Sequence, residues 1–165
     1  MSVPRLTPFM KLSYGLGNTA EAAILTSTIS FLLIFYNQVR GLPAGQVGTA
    51  LAAAFIVNAL FDPLVGSWSD RTRSRFGRRH PFMFAAILPI AGLFWAVFNP
   101  PDWSPMGQLI WLAVCNTLLL QSMSLYHTPH LALGGELSQD YLERTSIMNF
   151  GTFCSWMGDT LAWVL

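Results

Sequence analysis

Charge is scarce in this chain. Nine Lys or Arg and eight Asp or Glu are spread over 165 residues, a tenth of the total, where soluble domains carry roughly a quarter. So few charges cannot cover the surface of a water-soluble globule. More than half of the residues, 53%, are hydrophobic, and the chain reads as an integral membrane protein. The net charge of +1 says nothing about partners; the one arginine-rich link is short and offers no stacking aromatics, so nucleic acid is not an expected partner. Cysteine is nearly absent. Cys115 and Cys154 both fall in apolar runs and read as packing residues rather than a disulfide or a metal pair. His127 and His130 stand three apart across Pro129, a poor geometry for a metal and one without further ligands. No phosphate-cradling loop and no nucleophile–base pair is present, so neither an enzyme nor a resident cofactor is expected. A secretory signal is not expected either. Pro4 and Pro8 interrupt the start, and the first apolar run is followed by others.

What the chain has in quantity is long apolar runs. About 20 helical residues at a rise of 1.5 Å cross the roughly 30 Å hydrocarbon core. Helical spans are expected over about residues 14–36, 46–68, 82–98, 107–133 and 146–165. The fold class is therefore all-α and membrane-embedded. The second span is rich in small residues, Gly48, Ala50, Ala52, Ala53 and Ala54, which let helices approach closely where dispersion holds them together. Pro89 and Pro129 fall inside the third and fourth spans and are expected to bend them. The links at 37–45 and 99–106 are rich in glycine and proline, as turns require.

The cationic residues are gathered rather than scattered. Arg71, Arg73, Arg75, Arg78 and Arg79 lie in one short link. A cation at the bilayer centre costs roughly 2.5–3.5 kcal/mol on insertion scales, so this link sits in water. The positive-inside bias puts it, and the N-terminus with Arg5 and Lys11, in the cytoplasm.

The same link carries a resemblance. Gly66, Asp70, Arg71, Gly77, Arg78 and Arg79 resemble the loop between helices 2 and 3 of the major facilitator superfamily, G-x-x-x-D-R-…-G-R-[RK]. The longer form here, D-P-x-x-G-x-x-S-D-R-T-R-S-R-x-G-R-R from Asp62, is similar to the glycoside–pentoside–hexuronide:cation symporters, the melibiose permease family. L-Y-H-T-P-H-L-A-L-G-G-E-L and the following S-Q-D-Y-L-E-R-T resemble that family's helix 4 and the loop after it. The resemblance implies a twelve-helix transporter of which this chain supplies about five helices of the N-terminal half. The missing C-terminal half is then an expected partner, along with a small-molecule solute, a coupling cation and the lipid bilayer. The implied location is the cell (inner) membrane, multi-pass.

An ionisable residue inside a span is a functional candidate by default. Asp62 is the first, and Asn58, four residues earlier, shares its helix face. In the family this helix carries two carboxylates at these places, which bind the coupling cation; here the first is Asn58. His127 stands where the family has an aspartate used for cation and sugar. Asp62, Asn58 and His127 are the expected cation-coupling set. The plain alternative for Asp62 is a polar residue near a helix end, and for His127 a core histidine. Glu21 lies one position before the family's sugar-contacting aspartate, where this chain has Ala22. Glu21, Tyr126 and His130 are the solute-binding candidates. Leu131 and Thr152 replace the family's stacking aromatic and its helix-5 arginine. Gly66, Asp70, Arg71, Gly77, Arg78, Arg79, Glu143 and Arg144 form the expected cytoplasmic gate, with plain topogenic charge as the alternative reading. Asp159 lies deep in the last span with no assigned role.

Two functions follow. The first is a symporter segment that takes up a sugar, glycoside or related small solute by alternating access. Its coupling ion is a proton rather than sodium, because one carboxylate, an amide and an imidazole make a thin oxygen cage whereas histidine titrates near neutral pH. The other is a truncated membrane fragment without transport activity of its own. The orientation has a direct test. A membrane-impermeant thiol reagent applied from outside is expected to label a Ser104→Cys variant and to leave Ser74→Cys unlabelled; the reverse pattern inverts the topology.

Overall fold

The computed structural model describes residues 8–71, 80–136 and 140–164. Among these, five α-helices follow one another and there is no strand: α1 Pro8–Ile34, α2 Ala44–Arg71, α3 His80–Phe98, α4 Pro105–Glu136 and α5 Tyr141–Val164. Three begin where local chemistry favours a start. Pro8 and Pro105 open α1 and α4, at positions whose missing N–H forfeits no helical bond. Ser104 accepts the Gly107 N–H at 3.3 Å before α4, and Asp140 accepts the Leu142 N–H at 3.1 Å before α5.

The chain does not leave α1 at Asn37, as its composition predicts. A π-helical turn, Phe35–Val39, continues the rod, closed by Arg40 N–H on the Phe35 carbonyl at 3.1 Å. The reversal is delayed to Gly41, whose φ of 71° only glycine adopts readily. α1, α2, α3 and α4 are long and apolar enough to cross a membrane. α5 has the length, 24 residues, but its run is diluted by Asn149, Ser155 and Asp159.

The helices group into two compact units. One takes in α1 up to Thr28 with the chain from His130 onward; the other is Ile29–Pro129. In the second unit the core is Leu32, Tyr36, Val47, Val97 and Leu112, with Leu42 and Cys115 beside them. This core is built on the end of α3. The last carbonyls of a helix lack helical donors, and here neighbours supply them. The Tyr36 hydroxyl donates to the Val97 carbonyl at 2.9 Å, and the Trp111 indole to Ala96 at 3.0 Å. The Arg40 guanidinium donates to Asp102 at 3.0 Å and also to the Pro100 carbonyl.

The first unit is a seam of small residues. The buried residues of α5 are Ile147, Gly151, Cys154, Gly158 and Ala162, one face at helical spacing. Against them α1 presents Gly15, Asn18, Thr19 and Ala22. A Cβ added at Gly158 would run into the Thr19 carbonyl, and one at Gly151 would lie 2.6 Å from Asn18 Nδ2. These glycines permit a backbone approach that any side chain would prevent. Thr19 completes the seam by donating to the Cys154 carbonyl at 2.9 Å.

Two substitutions read these contacts in denaturant unfolding. Tyr36→Phe strands the Val97 carbonyl and is expected to lower stability by about 1–3 kcal/mol. Gly158→Val is expected to cost more, because backbone rather than a movable side chain blocks the new methyls. Wild-type stability in both would remove this account of the two units.

Candidate functional site

α2 and α4 each carry a proline in mid-helix, Pro63 and Pro129. A proline has no N–H to give the carbonyl four residues back, so Ala59 and Leu125 lose their usual donors. Polar groups are tolerated where helices are interrupted in this way, and the candidate site lies beside these breaks. Asp62 immediately precedes Pro63.

Asp62, Asn58 and Ser124 form a closed triad within the Ile29–Pro129 unit. Asn58 Nδ2 donates to Asp62 Oδ1 at 3.4 Å. Ser124 Oγ lies 3.0 Å from Asn58 Oδ1 and within hydrogen-bond reach of Asp62 Oδ1 as well. Asn58 and Asp62, four apart, share one face of α2. Ser124 is buried on α4 and meets both.

The proton count of this triad decides its chemistry. A serine has one hydroxyl hydrogen and an ionised carboxylate has none. With Asp62 ionised, Ser124 gives its hydrogen to Asp62 and has none left for Asn58 Oδ1. With a proton on Asp62 the ring closes. Asp62 donates to Ser124, Ser124 to Asn58 Oδ1, and the Asn58 amide to Asp62. The three contacts thus call for one hydrogen more than Ser124, Asn58 and an ionised carboxylate bring to them.

His127 does not join this group. The hydrogen bonds of Asp62 run to Asn58 and Ser124, while His127, three residues beyond Ser124, is exposed in this chain. Substitution for an aspartate singles out His127 in the sequence, whereas Ser124 goes unremarked there. The signal for Ser124 is faint: a serine three residues before that position, on the same side of α4.

The solute-binding candidates fall in different surroundings. His130 is buried, 4% exposed, and its ring stacks on Tyr14 with centroids 4.4 Å apart and planes at 16°. It is a packing histidine of the first unit. Glu21, on α1 in the same unit, and Tyr126, on α4 in the other, each keep part of their surface open.

The gate candidates are described in part. Gly66 lies on α2 with Thr128 Cγ2 3.7 Å from where its Cβ would be, which leaves room for α4. Arg71 ends α2 and is exposed. The side chain of Asp70, and all of Gly77, Arg78 and Arg79, lie outside the described residues. Glu143 is in the first turn of α5. Arg144 donates to the Gly135 carbonyl at 2.5 Å, so it caps the end of α4 as a cation at a helix C-terminus does.

Comparison with known proteins meets this geometry at the level of family. The profile of the MFS/sugar transport protein family matches residues 13–165. The chain is 33% identical over 94% of its length to the inner membrane symporter YicJ of Escherichia coli strain K12, covering 34% of that protein. It is 33% identical over 93% of its length to the putative glycoside/cation symporter YagG of the same strain, again covering 34% of the relative. To the isoprimeverose transporter of Lactiplantibacillus pentosus it is 26% identical over 92% of its length and 32% of the relative's. The chain spans about a third of the length of the curated relatives it matches. A match over nearly the whole chain, on membrane-length helices with an interior carboxylate, places it in the MFS/sugar transport protein family.

Proposed function

We propose that this segment supplies the coupling site of a secondary symporter, and that the ion it couples is a proton. The solute is a sugar, glycoside or related small molecule, in keeping with relatives described as a glycoside/cation symporter and an isoprimeverose transporter. The observation that carries the reading is the Asp62–Asn58–Ser124 triad. Its three oxygens and one amide bond to one another. A proton completes the bonds already formed.

Coupling then follows from hydrogen-bond satisfaction. A carboxylate inside an apolar helix is costly when ionised and short of donors. Protonation neutralises it and ties α2 to α4 through a complete ring. A solute that binds one state of this ring better shifts its population, which is all that coupling requires. In transporters of this kind the halves move around a site near the midplane. Tyr126, in the unit that holds the triad, is a proposed solute ligand, and Glu21 is a candidate within its own unit, where His130 packs against Tyr14. Asp70, Arg71, Arg78 and Arg79, with Glu143, are proposed to hold the cytoplasmic face, N-terminus inside.

The test is uptake into vesicles by the intact polypeptide that contains this segment. An imposed pH gradient is expected to drive accumulation without sodium, and Asp62→Asn to abolish accumulation while solute exchange persists. Ser124→Ala removes a hydrogen bond to a charged group, worth about 1.5–3 kcal/mol, so coupling should weaken by roughly 10- to 100-fold. Accumulation driven by sodium alone overturns the proposal.

A further inference from the structure

The hydroxyls on these helices share a habit. Thr28, Thr117, Ser122, Thr152, Ser155 and Thr160 each donate to the carbonyl four residues back, the usual resting place of a hydroxyl in an apolar helix. Thr19 departs from it for the Cys154 carbonyl, and Ser124 for Asp62. Thr26 also departs, and like Ser124 it goes to a carboxylate. It donates across from α1 to Asp159 Oδ1 on α5, at 2.5 Å.

Asp159 follows Gly158, where an added Cβ would strike the backbone of α1 at Thr19. The seam therefore holds this carboxylate against α1, and Thr26 meets it there. The ion pair of Arg40 with Asp102 belongs to the other unit, and among the described residues no cation pairs with Asp159. The other titratable groups of its unit lie elsewhere on the seam. On α1, Lys11 is bonded to Ser146, and Tyr14 is bonded to Met148 and stacked on His130. Glu21 is five residues before Thr26, about 140° around the helix. On α5, Glu143 and Arg144 are in the first turn and Cys154 is five residues before Asp159.

We propose that Asp159 and Thr26 form a second proton-binding site, separate from Asp62. In the ionised state Thr26 gives its hydrogen to Asp159. When a proton is taken from water, a new O–H bond forms on the carboxylate and water is left without that proton. The carboxyl then donates to Thr26 Oγ1, and the threonine hydrogen turns to the Ala22 carbonyl, four residues back, as its neighbours' hydrogens do. Both states are hydrogen-bonded, so the site exchanges a proton without moving a helix. An ionisable group inside an apolar helix is retained where it serves such an exchange.

This inference does not rest on the coupling role of Asp62. Infrared difference spectra between high and low pH, recorded on the chain in lipid nanodiscs with isotope-labelled aspartate, test it. A protonated aspartate carbonyl band is expected that Asp159→Asn deletes and Asp62→Asn leaves in place. Thr26→Val should move that band to higher frequency by removing its hydrogen-bond partner, and Thr26→Ser should leave it unmoved. An unchanged pH-difference spectrum in Asp159→Asn overturns the proposal. So does a band indifferent to Thr26→Val, or one that responds to sodium at fixed pH. If Asp159→Asn does not fold, the pair of Thr26 variants alone decides the outcome.

Discussion

Hydrocarbon offers a polar group nothing to bond to, and this constraint organises the molecule. Each unsatisfied donor or acceptor at membrane depth costs several kcal/mol, so partners must come from within the chain. The end of α3 shows the cost being met. Its last carbonyls would face an apolar surround, and Tyr36 and Trp111 supply the missing donors. The core of that unit gathers around the same residues. The seam between α1 and α5 obeys the same rule in another way. Glycine brings the backbones close enough for Thr19 to donate to a carbonyl of the opposite helix.

Carboxylates are the hardest groups to satisfy under this constraint, because an ionised one has only acceptors. Asp62 and Asp159 each draw a hydroxyl from a neighbouring helix, and those hydroxyls give up their own backbone to do so. A hydroxyl is a suitable partner for a group that changes protonation, since it can donate to the charged form and accept from the neutral one. A lysine or arginine would hold the carboxylate permanently ionised, and an apolar neighbour would hold it neutral. Stability and function thus meet in the same bonds.

Much of the architecture was legible in the sequence. Apolar runs separated by proline- and glycine-rich links are strong signals, and the arginine-rich link with its G-x-x-x-D-R motif pointed to the family that the comparison found. The π-helical turn at Phe35–Val39 was not legible, because no residue there forbids a continued helix. α5 was expected as another apolar span, and it is less apolar than the others; of its polar residues Asp159 bonds to Thr26 on α1. The site was half legible. Asn58 and Asp62 share a face by spacing alone. Ser124 belongs to them only through tertiary packing of α4 on α2, which no local pattern encodes. His127 and His130 drew notice as rare titratable groups, yet one is exposed and the other is stacked on Tyr14.

The central claim is that the Asp62 triad becomes complete by taking a proton. The most direct measurement follows protons rather than solute. Vesicles holding the intact polypeptide are suspended in weakly buffered, sodium-free medium, and solute is added so that it enters down its own gradient. The account predicts that the medium turns alkaline as protons enter with the solute, and that Asp62→Asn abolishes this change while solute still equilibrates. Solute entry with no change in external pH, in protein that remains folded and active, would contradict it.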